Sequence, residues 1–129
     1  MARLSRTARD VVTAVGDVGE LSVDGLTVGL KVEVARTLAR RTLGRLGRRG
    51  APRALLLHPC SSVHSLGMLI DLQVAYLDRD LRVIEVADLP RQRVHLPRRR
   101  AVAVLEAEPR VLSGLGVRPG AALGLVAGL

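Results

Sequence analysis

The chain has 129 residues, a size that fits one domain, and 48% of them are hydrophobic, enough for a packed core. Twenty Lys and Arg stand against 12 Asp and Glu, a formal net charge of +8. Tyr76 is the one aromatic residue and Cys60 the one cysteine, which excludes aromatic base-stacking platforms, an intramolecular disulfide and a multi-cysteine zinc site.

In chain order, residues 1–25 read as an arm or short helix capped by Ser5, followed by turns at Gly16, Gly19 and Gly25. The apolar run after Asp10 is cut by Asp17 and Glu20, too short for a secretory leader, and charges interrupt every window of about 18 residues that could span a membrane. A cytoplasmic location with a reduced thiol is therefore expected. Residues 26–34 alternate strictly: Leu26, Val28, Leu30, Val32 and Val34 face one way, and Thr27, Gly29, Lys31 and Glu33 the other, as in a half-buried strand. Residues 36–47 change to helical spacing, with Thr37 as cap and Gly47 as stop. Ala54–Leu57 predicts a buried strand. Residues 72–77 and 82–87 predict a hairpin about Asp78-Arg79-Asp80. Ala101–Leu105 predicts a further strand, and Pro109 the start of a short helix ending at Gly116. After a turn at Arg118-Pro119-Gly120, a last strand covers Ala122–Val126. Together these give an α+β, mainly β domain over residues 26–129: a small barrel-like or strongly curved antiparallel or mixed sheet with two short helices.

The positive charge is local. Residues 36–53 and 91–100 contain Arg and no acid, and between them they hold 12 Arg. Arg40, Arg41 and Arg45 in the first stretch, and Arg98, Arg99 and Arg100 in the second, are the candidates for an anion- or nucleic-acid-binding surface. The simpler account is a solvated face in a chain that uses Arg almost to the exclusion of Lys.

The run Pro59-Cys60-Ser61-Ser62-Val63-His64-Ser65-Leu66-Gly67-Met68, then Ile70-Asp71, then Val74-Ala75-Tyr76-Leu77-Asp78-Arg79-Asp80 and Arg82-Val83, resembles the bacterial and archaeal domain of unknown function 192 family. Ala35-Arg36-Thr37 and Arg41-Thr42-Leu43-Gly44-Arg45 upstream continue the resemblance. So do Val104-Leu105-Glu106 and Leu115-Gly116-Val117-Arg118-Pro119-Gly120 downstream. The departures are a shorter link from Met68 to Ile70-Asp71, Leu81 at a hairpin glycine, Glu108-Pro109-Arg110 for Pro-Ala-Gly, and Ala121 for an Asp. The resemblance implies a small, mostly β domain and no particular activity.

Cys60, His64 and Asp71 are the residue types of a nucleophile, a base and an orienting acid, yet no catalytic signature surrounds Cys60. Cys60 also reads as a small buried residue, and Asp71 as a turn cap or the partner of an arginine. His58, Cys60, His64 and His95 lack a structural-zinc spacing, so neither metal nor cofactor is expected. The reading is a non-enzymatic module for a small polar ligand or a protein partner. His64, Met68 and Asp71 are its candidate ligand residues, with an Arg-cluster anion or nucleic-acid binder and a Cys/His enzyme as alternatives.

Overall fold

Apolar–polar alternation over brief segments builds one sheet, because each extended segment must bury one face and pair its backbone with a neighbour. The structure, a computed structural model, describes residues 7–36, 54–65 and 70–127. Among these, α1 (Ala8–Val15) precedes β1 (Val18–Val23), β2 (Leu26–Ala35), β3 (Ala54–Leu57), β4 (Leu72–Leu77), β5 (Val83–Leu89), β6 (Ala103–Ala107), α2 (Val111–Gly114) and β7 (Leu123–Ala127). The strands form one mixed sheet in the order β5-β4-β6-β3-β2-β1-β7. β2 and β3 pair in parallel and the other neighbours pair antiparallel.

The sheet curves until its two edges touch at one end. There Arg82 bridges Ala122, and the Val83 and Leu123 amides bond across to Ala121 and Leu81. The rest of the edges stays apart, so the curved mixed sheet is realised and the closed barrel is not. The face inside the curl holds the larger core: Leu21, Val32, Leu56, Leu77, Leu105 and Leu123, capped by Val11, Val12 and Val15 of α1. The opposite face of the central strands carries a second core of Leu55, Leu57, Val63, Val74, Tyr76 and Val104. Because both faces are covered, every residue of β3, β4 and β6 is buried.

Five local expectations change. Thr7, not Ser5, caps α1, in a reciprocal capping box with Asp10. Val18–Val23, where only turns were expected, is a strand hairpinned to β2 through Asp24 (φ 50°) and Gly25 (φ 87°). Leu26, expected inward, is 73% exposed. The reason is that β3 pairs with β2 only from Val32 onward, so the tip of the β1–β2 hairpin extends past the core. Glu33, expected in solvent, is 4% exposed because the second core covers that face. At the far end, Arg110 in the left-handed region (φ 70°) places Pro109 in a turn, and α2 starts after it. The helix expected over residues 36–47 lies outside the described residues, apart from Arg36. The Arg36 guanidinium bonds the Val12 and Gly16 carbonyls at the end of α1 and pairs with Asp17 at 3.1 Å.

Candidate functional site

The chain leaves β3 through a cis His58–Pro59 bond and runs as a strap over the second core. Backbone bonds hold the strap against the segment before β6. Cys60 N donates to the Val102 carbonyl (2.9 Å), Arg98 N to Ser61 (2.9 Å), His95 N to Val63 (2.9 Å) and Ser65 N to Arg93 (2.8 Å). Buried Ser65 completes the attachment by accepting from Arg93 N and donating to the Pro90 carbonyl.

A side-chain clamp fixes the same segment from below. Arg98 forks onto Glu85 (Nε–Oε1 2.9 Å, Nη2–Oε2 3.3 Å) and lies 4.8 Å from the Tyr76 ring centroid. The Tyr76 hydroxyl meets His95 Nδ1 at 2.6 Å. Burial, followed by the Arg98 charge, lowers the His95 pKa, and burial raises that of Tyr76 to about 12. Near neutral pH the phenol therefore donates and the neutral imidazole accepts. Tyr76 is the one aromatic residue of the chain. The single contact formed here is internal and structural.

Between strap and sheet lies a cavity of about 620 Å³, lined among the described residues by Leu57, the strap residues Pro59 to His64, Ala101, Val102 and Glu106. The volume is within the range of small-molecule pockets. Along β6 the period of two sends Ala103, Leu105 and Ala107 into the larger core, and Val104 and Glu106 to the cavity side. Glu106 is flanked in register by Leu55 on β3 and Val74 on β4 and is 4% exposed. No hydrogen bond or ion pair reaches its carboxyl among the described residues. Burial raises its pKa to about 8, because the ionised form would lose its hydration with nothing in exchange. The Cys60 thiol, half-buried beside it, donates to the Ser62 carbonyl at 2.9 Å.

The expected site residues separate in space. His64 lines the cavity. Asp71 stands elsewhere: its Oδ1 accepts from Arg91 N (2.9 Å) and pairs with Arg91 Nε (3.4 Å), which fixes the turn after β5. Met68, Arg40, Arg41 and Arg45 lie outside the described residues. Of the second cluster, Arg98 is committed to Glu85, while Arg99 and Arg100 are exposed. Among the described residues no cluster of His, Cys, Asp and Glu could hold a metal ion, and no helix is long and apolar enough to cross a membrane. Sequence reasoning missed Glu106 as a site residue because it ended the strand at Leu105. The available signal was a carboxylate inside the apolar run Ala101–Ala107.

Comparison with known proteins places this geometry among relatives. The UPF0127 protein PH1112 of Pyrococcus horikoshii is 29% identical over 81 residues, which cover 59% of this chain and 70% of that protein. Two solved structures share the fold. One, described as a "putative transcription regulator" from Sinorhizobium meliloti, has a TM-score of 0.68 at 20% identity, covering 84% of this chain and 93% of that one. The other, a protein of unknown function from Novosphingobium aromaticivorans, has a TM-score of 0.66 at 22% identity, covering 82% and 84%. The model of the DUF192 family, described as "Uncharacterized ACR", matches residues 20–125, which run from within β1 to within β7 and include the strap and Glu106, and the chain belongs to that family.

Proposed function

We propose that the protein is a small-molecule-binding module whose site is the cavity between the 59–64 strap and β6. The observation that carries this reading is a cavity of about 620 Å³ that has Leu57, Val63, Ala101 and Val102 on its walls and one buried carboxyl with no partner among the described residues. A polar group left unsatisfied in a covered site costs on the order of 1–3 kcal/mol, and a ligand that satisfies it recovers that amount on binding. The strap is fixed by backbone bonds and by the Arg98 clamp, so the site is formed before a ligand arrives and its ordering cost is small.

A fragment screen read by amide chemical shifts tests this. Ligands should perturb Leu57, Val63, Ala101 and Val102 and raise Tm with the logarithm of ligand concentration above Kd. Ser62→Phe, at a partly exposed lining position, should block those perturbations in a protein that remains folded. Fragments that bind only elsewhere, or bind Ser62→Phe as well as the wild type, would sink the reading.

A further inference from the structure

Resting on that reading, we propose that the cavity selects a cationic amine, with an aliphatic portion against Leu57, Val63, Ala101 and Val102 and its ammonium group on the Glu106 carboxylate. Leu55, Glu106 and Val74 are register partners on β3, β6 and β4, so the Glu106 carboxyl rises from the floor of the site between two hydrocarbon side chains. It is 4% exposed, it lines the cavity, and no donor among the described residues reaches it. Among the described residues the lining contains neither Lys nor Arg. The group that satisfies a carboxylate most completely in a water-poor site is a charged N–H donor, because Coulomb attraction adds to the hydrogen bond.

The remaining polar lining suits the same group. An ammonium carries three donors and no acceptor. The described lining also carries the Ser61 and Ser62 hydroxyls, which can accept, together with Cys60 and His64, and it offers hydrocarbon from Leu57, Val63, Ala101 and Val102. A ligand carboxylate or phosphate would be repelled by ionised Glu106 and would meet neither Lys nor Arg on the described lining. A neutral alcohol would fill the apolar part and gain no charge pairing. Glu106 is a binding residue in this account, and no covalent step is involved.

The experiment compares three probes of equal chain length on the intact protein at about pH 9, where Glu106 is ionised and an alkylammonium keeps its charge: n-pentylammonium, 1-pentanol and pentanoate. Affinities are read by titration of the Leu57, Val63, Ala101 and Val102 amides. Pentylammonium should bind at least about tenfold more tightly than pentanol, the ratio given by a single added pairing of about 1.4 kcal/mol, and pentanoate should bind most weakly. Glu106→Gln, whose fold is checked by its amide spectrum, should bring pentylammonium and pentanol to equal affinity. The wild-type ranking stands as a test even if that variant misfolds. Equal binding of ammonium and alcohol to the wild type, or tighter binding of pentanoate, would overturn the amine preference and leave the cavity as a binding site. Absence of shifts at these amides with any of the three probes and with the fragments would overturn the binding reading itself.

Discussion

Glu106 sets a pH dependence that can be worked out from its position. Its carboxyl titrates near 4.5 when solvated and near 8 in the folded protein, so between those values the native state holds a proton that the unfolded chain releases. Stability is greatest below the lower value, falls as pH rises through the window, and reaches its reduced level above about 8. At pH 7 the loss is on the order of 3 kcal/mol. Glu106→Gln keeps the shape and removes the titration. Urea denaturation should therefore find the variant more stable than the wild type at pH 8 and nearly equal to it at pH 4.5. An unchanged difference across that range would contradict the burial of an uncompensated carboxyl. The lowered His95 pKa acts in the opposite sense: protonation of the ring costs stability as pH falls below about 6.5. Tyr76→Phe removes the donor to that ring and should cost about 1 kcal/mol.

At the scale of elements, the β4–β5 hairpin shows a local preference yielding to the core. Leu81 sits at φ 59°, a conformation that costs a residue with a β-carbon about 1–2 kcal/mol, at the position where the family resemblance has glycine. It persists because the side chain is 2% exposed within the larger core and Asp78 ties the turn to the Asp80 and Arg82 amides. Leu81→Gly relieves the backbone and empties the core, where loss of a buried leucine costs about 2–5 kcal/mol. A lower Tm is expected, and a higher one would show that strain dominates. The hairpin itself, β3, the Pro119-Gly120 turn and β7 were legible because period and turn chemistry agree there. β1 was legible too, through Asp24-Gly25, the residue pair that a two-residue hairpin turn favours, but its glycines were read as punctuation. Gly19 is in fact a packing device: a β-carbon there would approach Val15 Cγ2 to 2.6 Å.

For the whole molecule, the order β5-β4-β6-β3-β2-β1-β7 buries the parallel β2–β3 pair mid-sheet, and the edges meet among the described residues at one junction, where residues 81–83 bond to residues 120–123. Hydrogen exchange should be slowest in β3 and β6, which are paired on both sides and covered on both faces. The Val83 and Leu123 amides should exchange more slowly than those in the rest of their edge strands, and uniform exchange along β5 and β7 would argue against the single junction. None of this closure was readable in the chain. Alternation fixes which way a side chain points, but it does not state which strands become neighbours or where a curl stops. The candidate site was partly hidden for the same reason. Cys60 and His64 are near in sequence, whereas Glu106 joins them only through long-range pairing.

One consequence of the clamp concerns how the protein can be watched. With neither Trp nor Phe in the chain, nearly all of its intrinsic ultraviolet emission arises from the Tyr76 phenol, which lies under Arg98 and bonds to His95. The segment that pairs with the strap thus holds the molecule's single fluorophore, and detachment of that segment should register as a change in brightness without any attached dye.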